Sequence, residues 1–184
     1  LRRATPDNDH KRPPRPPGLS GEGWNANVYY DDKHETLRDI FGNPLVSVEP
    51  GLIRVGERSY PVVDDVIVLL EPSRRPAGLA ARIAAATGAT SKPAAPVPGW
   101  GIFAGDIQFT FGEEWQRFPS ILPEHEQEFA LYFDLVDIAS LADARVCDLG
   151  CGIGRWSHHL AGKCRELVLV DFSEAIFVAR RNLG

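Results

Sequence analysis

The sequence predicts an α/β fold in which a small N-terminal β-rich domain precedes the first two strand–helix units of a parallel sheet. Two observations lead to this prediction. The C-terminal part of the chain alternates strand, glycine loop, helix, strand and helix, which is the order typical of parallel sheets. The predicted elements are a strand Arg145–Leu149, a helix from about Gly154 to Gly162, a strand Glu166–Val170 and a helix Ser173–Leu183. From Pro44 to Leu70 apolar and polar residues alternate between turn signals, as they do in short antiparallel strands.

Composition limits the classes of protein to which the chain can belong. It has 184 residues, 43% of them hydrophobic, and a net charge of −5, which argues against nucleic-acid binding because that binding depends on cationic surface. No apolar run reaches the ~20 residues of a membrane span, and the basic N-terminus lacks the apolar core of a signal peptide. The three cysteines form no C-x-x-C pair, which favours free thiols. We therefore expect a cytoplasmic protein with no membrane partner.

The N-terminal part of the chain divides into an arm and a small domain. Residues 1–23 are rich in proline and arginine, so they cannot bury enough apolar surface to offset chain entropy and are predicted to be disordered. A polyproline arm that docks a partner is the alternative. Residues 35–71 form the β-rich domain, which begins with a short helix that ends at Gly42.

The rest of the chain divides into a linker and a second domain. Residues 72–99 are Pro- and Ala-rich and are predicted to be a linker, although Leu79, Ile83 and Ala86 would share one face of a short helix. The second domain spans residues 100–184 and starts with an aromatic-rich stretch. Its aromatic residues are Phe109, Phe111, Trp115 and Phe118.

An amphipathic helix is predicted after the aromatic stretch. Pro123 and the acidic residues that follow it fit a helix N-terminus. Apolar residues then recur at helical spacing. They are Phe129, Tyr132, Phe133 and Val136.

The stretch RVCDLGCGIGRWS, Arg145 to Ser157, carries most of the functional information. Three glycines spaced two apart follow an apolar strand and lead into a helix, so the backbone can approach a ligand closely and offer N–H groups to it. The dinucleotide fingerprint G-x-G-x-x-G would need glycine at position 155, where the chain has arginine. Asp171 ends the second strand about 20 residues further on, where an acid can accept both ribose hydroxyls. The pattern therefore predicts a nucleoside site without a pyrophosphate cradle.

The motifs VCDLGCGIG and LVLVDFS closely resemble the first two motifs of class I S-adenosylmethionine-dependent methyltransferases. The resemblance implies a partial Rossmann-like methyltransferase sheet and S-adenosyl-L-methionine as the cofactor. It implies that Asp148 faces the methionine amino group, usually through water, that Asp171 binds the ribose, and that Phe172 lies beside the adenine. The other residues implied to line the cofactor are Gly150, Cys151, Gly152 and Gly154. Arg155, at the helix start, is our own candidate for contacting the methionine carboxylate.

The resemblance extends upstream of the glycine loop. The stretch FGEEWQRF is similar to the F-G-x-E-W-x-x-F stretch of a subgroup of small-molecule-type methyltransferases. The similarity implies that Trp115, Arg117 and Phe118 cover the cofactor site. An aromatic cluster that packs the preceding helix onto the sheet is the alternative.

The small domain has a resemblance of its own. The stretch NPLVSVEPGLIRVGERSYPVVDDVIVLL resembles the zinc-ribbon-like domain that is often fused to such methyltransferases. The family's cysteine pairs are absent, because Gly42 to Pro44 and Val55 to Glu57 occupy those regions, so no zinc site of that kind can form. We predict a metal-free version with a packing or interaction role. A generic β-hairpin unit is the alternative.

We interpret the chain as a fragment of an S-adenosylmethionine-dependent methyltransferase. It contains no methionine, even at position 1, and it ends at Gly184 after the second helix, whereas the residues that select and deprotonate the acceptor usually follow later strands. The catalytic residues and the oligomeric state are therefore unknown, and a small molecule is the favoured acceptor. We expect the longer parent to be an enzyme, and the fragment to bind cofactor poorly and to be inactive.

Two other classes of function remain open. One is an NAD(P)-type Rossmann oxidoreductase or epimerase, against which Arg155 argues. The other is a non-catalytic methyltransferase-like binding module, against which Asp148 and Asp171 argue. A metal site is not predicted, since the adjacent His158 and His159 would point apart on a helix.

Overall fold

The computed structural model of the protein describes residues 28–88, 114–115 and 117–184. The predicted arm, the second half of the linker, and Phe109 and Phe111 of the aromatic stretch lie outside these residues. Within them the fold is mixed α/β, with a four-stranded antiparallel sheet and a two-stranded parallel sheet. None of the described helices has the length and apolar character that a membrane span requires.

The N-terminal unit is an antiparallel sheet with strand order β1-β2-β3-β4, covered by one helix. Its elements are α1 (His34–Phe41), β1 (Val46–Glu49), β2 (Leu52–Val55), β3 (Arg58–Val63) and β4 (Val66–Ile67). Alternation along β2 buries Ile53 and Val55 and exposes Arg54, because successive side chains of a strand point to opposite faces. The α1 helix ends where predicted, since Gly42 adopts a left-handed φ of 59°.

Part of the predicted linker folds as a helix and joins the core. Helix α2 (Ala77–Thr87) packs against β3. Its Leu79 and Ile83 are buried in a cluster that also contains Phe177 from the C-terminal region. The short helix that the sequence allows in this stretch is therefore present over residues 77–87, because alanine favours helix formation and the apolar face of the helix is buried.

The C-terminal unit holds the parallel sheet. Its elements are α3 (Glu124–Tyr132), β5 (Arg145–Leu149), α4 (Arg155–Leu160), β6 (Glu166–Val170) and α5 (Ala175–Asn182). Strands β5 and β6 pair in parallel, with Leu149 opposite Val170. Their carboxyl ends therefore lie side by side at one edge of the sheet.

The predicted apolar face of the helix after Pro123 is only partly correct. Helix α3 ends at Tyr132, and Phe129 is buried whereas Tyr132 is 72% exposed and Val136 is 44% exposed. Val136 lies beyond the helix, because the chain leaves it at Phe133, whose φ is −110°. Tyr132 lies in the last turn of the helix, but its side chain is not buried. Tyr132 instead stacks on Trp156, with ring centroids 5.4 Å apart.

Candidate functional site

The glycine loop lies at the carboxyl ends of β5 and β6. It follows Leu149 directly, and the backbone N–H groups of Gly150 and Cys151 donate to the carbonyl oxygen of Val170 at 2.7 and 3.2 Å. The loop that begins after one strand is thereby fixed to the end of the next strand. The cleft outside the carboxyl ends of parallel strands is where open α/β sheets bind ligands.

All three glycines of the loop have left-handed backbone conformations. Their φ angles are 79° at Gly150, 54° at Gly152 and 76° at Gly154. Side chains other than glycine are strained in this region, because the Cβ atom clashes with the backbone. Each of the three positions therefore needs glycine because of its left-handed backbone conformation.

The three glycines have different surroundings. A methyl group built on Gly150 meets no atom within 4 Å, whereas one on Gly152 lies 3.4 Å from the Trp115 indole. A methyl group on Gly154 lies 3.2 Å from the Cβ atom of Ala179 in α5. The loop is thus open to a ligand at Gly150, covered at Gly152 and tightly packed at Gly154.

Asp171 joins the end of β6 to the glycine loop. One carboxylate oxygen accepts a hydrogen bond from the N–H of Gly152 at 2.8 Å. The other accepts from the N–H and the hydroxyl of Ser173, at 2.8 and 2.7 Å. A carboxylate has about four acceptor positions, so these three bonds leave one position for a ligand. Binding both hydroxyls of a ribose would require the Ser173 hydroxyl to turn away.

Asp148 lies within β5, one residue before the strand ends. Its carboxylate accepts a hydrogen bond of 2.6 Å from the hydroxyl of Ser157, a fully buried residue of α4. This contact fixes the acid beneath the glycine loop. Asp171 thus contacts the loop directly, whereas Asp148 joins β5 to the helix that follows the loop.

Cys151 is a buried, neutral thiol. Burial, with the charges of Asp171 and Asp148 as further causes, raises the pKa of its thiol to about 12. Its thiolate population at neutral pH is therefore negligible, and a thiol without thiolate is a poor nucleophile. The loop cysteine fits a packing role.

Arg155 is directed toward helix α3. Its guanidinium forms an ion pair with Glu128 at 3.3 Å and lies 4.1 Å from the ring centroid of Trp156. Among the described residues, the ion pair of Arg155 is therefore with α3. The structure does not bring Arg155 together with Asp148 or Asp171. Phe172, by contrast, follows Asp171 directly and is 47% exposed at the edge of the site.

A groove of about 1210 Å³ opens beside β6 and the glycine loop. Gly150, Asp171 and Phe172 line it together with residues of the N-terminal unit such as Tyr30 and Val68. Its volume is above the usual range of about 300–1,000 Å³ for small-molecule pockets. The open side of the loop, at Gly150, faces this groove.

The aromatic stretch contributes one residue to the loop. The Trp115 indole lies over Gly152, whereas Arg117 is exposed and Phe118 is 62% exposed. The structure therefore brings Trp115 to the predicted site and leaves its two neighbours at the surface.

The described residues contain no group of three or more His, Cys, Asp or Glu side chains that could hold a metal ion. The rings of His158 and His159 are nearly perpendicular, at 87°. In the N-terminal unit, the side chain of Asn43 accepts a hydrogen bond from the N–H of Leu45 at 2.8 Å. A side-chain turn thus occupies one region where zinc-ribbon domains carry cysteines.

Comparison with known proteins leaves the family undecided. The chain matches no protein-family model, no curated protein and no solved structure. The function is therefore argued from the site alone.

Three residues at the loop were not assigned a site role from the sequence. Ser157 and Ser173 bind the two acids, and Asn182 donates to the carbonyl oxygen of Ile153 within the loop. Ser173 belongs to a residue type that often stands at helix starts, and its hydroxyl accepts a hydrogen bond from the N–H of Ala175 at 3.2 Å. Ser157 and Asn182 have no local pattern that distinguishes them from other polar helix residues.

Proposed function

We propose that this chain carries the cofactor-binding part of a class I S-adenosylmethionine-dependent methyltransferase. The observation that carries the proposal is that Gly150 and Asp171 line one groove at the carboxyl ends of β5 and β6. Gly150 belongs to the loop of three left-handed glycines that follows β5, and Asp171 is the acid that follows β6. This is the arrangement that a nucleoside with an amino-acid tail would need at the end of two parallel strands.

The residues present fit the cofactor at the open side of the loop. Gly150 has free space where a Cβ atom would stand, so ligand atoms can approach its backbone. Asp171 keeps one acceptor position for a ribose hydroxyl, and Phe172 offers an aromatic surface beside it. Gly154 is better assigned to packing against α5 than to contact with the cofactor.

The cofactor would supply an electrophilic methyl group on a sulfonium. An acceptor's nucleophilic atom would form a bond to that methyl carbon as the carbon–sulfur bond breaks, with S-adenosylhomocysteine as the leaving group. Such a reaction depends mainly on aligning three atoms and excluding water. We assign no catalytic residue in this chain, and a small molecule remains the favoured acceptor.

A non-catalytic module of the same fold is the second candidate. The observation that favours it is that Asp171 already accepts three hydrogen bonds from the protein. A carboxylate so well satisfied can act as a structural brace between the loop and the helix that follows. Ligand binding distinguishes the two candidates, because a purely structural role of Asp171 predicts that no nucleotide binds.

Saturation-transfer NMR with S-adenosylhomocysteine and with NAD tests the proposal, since it detects weak binding. We expect transfer to the adenine and ribose protons of S-adenosylhomocysteine and much less to NAD. Asp171→Ala should weaken the affinity for S-adenosylhomocysteine by at least about tenfold, because a charged hydrogen bond to ribose contributes about 1.5–3 kcal/mol. Asp143→Ala is the matched control, because Asp143 is exposed in the turn before β5.

Two results would contradict the methyltransferase proposal. Stronger transfer to NAD would favour the oxidoreductase alternative. Absence of transfer to either nucleotide would favour the non-catalytic module. An unchanged signal in a folded Asp171→Ala variant would overturn the assignment of Asp171 to the ribose.

A further inference from the structure

Asn182 connects two segments that are far apart in the sequence. It is the last residue of α5, and its side-chain nitrogen donates to the carbonyl oxygens of Pro119 and Ile153, at 2.9 Å each. Ile153 lies within the glycine loop, and Pro119 lies four residues after Trp115. One amide group therefore joins the loop to the segment that covers it.

The chemistry of these contacts fixes the orientation of the amide. Both partners are carbonyl oxygens, which only accept, so the NH₂ group must face them and uses both of its hydrogens. A carboxylate of the same shape could make neither bond at neutral pH. An asparagine side chain can therefore make both hydrogen bonds, whereas an aspartate side chain of the same size cannot.

The segment tied by Asn182 is the one that carries Trp115. The N–H of Phe118 donates to the carbonyl oxygen of Glu114 at 3.0 Å, which closes one backbone turn around Trp115. Pro119 follows this turn directly, so the hydrogen bond from Asn182 holds the end of the turn. The Trp115 indole then lies 3.4 Å from a methyl position on Gly152.

We propose that Asn182 is a positioning residue that holds Trp115 over Gly152 and so fixes the glycine loop beside the groove in which the cofactor would bind. The inference deepens the proposed function and rests on it for the cofactor, whereas the tie itself is independent of any ligand. Helix α5 is well placed for this role because Ala179, three residues earlier, packs against Gly154 of the same loop.

The environment of Trp115 gives a readout that a purely structural role of Asn182 would not change. The chain has four tryptophans, so 5-fluorotryptophan labelling should give four fluorine resonances, and Trp115→Phe identifies one of them. Asn182→Asp should move that resonance toward its unfolded-state position and increase its solvent isotope shift. Arg181→Ala, which changes an exposed neighbour on the same helix, should leave it in place.

Affinity for S-adenosylhomocysteine is the second readout. We expect Asn182→Asp to weaken this affinity about five- to tenfold, which is the loss expected when about one hydrogen bond that orders the site is removed. If Asn182→Asp does not fold, Asn182→Ser replaces it, because serine is too short to reach both carbonyl oxygens and brings no charge. It should shift the Trp115 resonance in the same direction.

The two proposals fail in different ways. If the wild-type chain binds no S-adenosylhomocysteine, the proposed function is wrong while the fluorine spectra still test the tie. If the Trp115 resonance is unchanged in a folded Asn182 variant, the positioning role is overturned, even where the variant is less stable.

Discussion

At the residue scale, the glycine loop shows that one sequence pattern can serve three different physical needs. Gly150, Gly152 and Gly154 share left-handed φ angles, so any residue other than glycine would be strained at each of these positions. Their neighbours differ. A methyl group would meet open space at Gly150, the Trp115 indole at Gly152 and Ala179 of α5 at Gly154. The consequence of adding a methyl group should therefore differ among the three positions.

Gly154→Ala should destabilise the protein more than Gly150→Ala. Both variants place alanine at a left-handed φ, which costs about 1–2 kcal/mol. The Gly154 variant adds a methyl group 3.2 Å from the Cβ atom and 3.4 Å from the Cα atom of Ala179, and such overpacking costs about 1–3 kcal/mol more. Urea unfolding followed by circular dichroism measures the difference, and equal losses would show that α5 moves aside freely.

At the scale of elements, the β3–β4 hairpin is closed by an unusual pair of residues. Asp64 and Asp65 occupy its two-residue turn with φ angles of 48° and 62°, where glycine or asparagine is normally preferred. Asp64 pairs with Arg82 of α2 at 2.6 Å, and Asp65 pairs with Arg180 of α5 at 2.8 Å. The turn thus connects the N-terminal sheet to two helices.

Asp65→Asn should cost more stability than Asp64→Asn. Asparagine tolerates the left-handed backbone, so each variant mainly removes a charge. The Asp65–Arg180 pair is the better buried, with side-chain exposures of 33% and 19%, and its loss should cost about 1–3 kcal/mol. Asp64 is 63% exposed, and its loss should cost less than about 1 kcal/mol.

A double-mutant cycle with Arg180→Gln measures the coupling at this turn. The Asp65 and Arg180 substitutions should be strongly non-additive, because they remove the same contact. Additive losses would mean that the contact between Asp65 and Arg180 contributes no coupling energy to the turn.

At the scale of the whole molecule, the two units share one core. Phe177 of α5 is buried with Val63 and Val68 of the sheet and with Leu79 and Ile83 of α2. The guanidinium of Arg82 lies 3.9 Å from the centroid of the Phe177 ring. The N-terminal unit therefore packs on the same helix that supports the glycine loop.

Phe177→Ala should weaken both units together. Truncating a buried phenylalanine costs about 3–5 kcal/mol, a large part of the stability of a small domain. Hydrogen exchange should show loss of protection in β3 and α2 as well as in α5. Phe118→Ala is the control, since that side chain is 62% exposed. Loss of protection confined to α5 would show that the two units are independent.

The sequence predicted the local features of the site well. The strands Arg145–Leu149 and Glu166–Val170 have the predicted bounds, because an apolar run between turn signals is a local property. The glycine loop also lies between a strand and a helix, as predicted, whereas the left-handed φ angles of its three glycines are known only from the structure. The face of α3 was partly mispredicted, because the helix ends at Tyr132 and Val136 lies beyond it, and the spacing of apolar residues does not show where a helix ends.

By itself, the sequence determined an α/β chain with a glycine loop and an acid at the ends of two successive strands. Only the tertiary structure decided which groups satisfy those residues. Asp171 is bound to Gly152, Arg155 is directed to Glu128, and Asp65 meets Arg180, which lies 115 positions away. Backbone conformation and periodicity depend on neighbours in the chain, whereas these contacts depend on how separate elements pack.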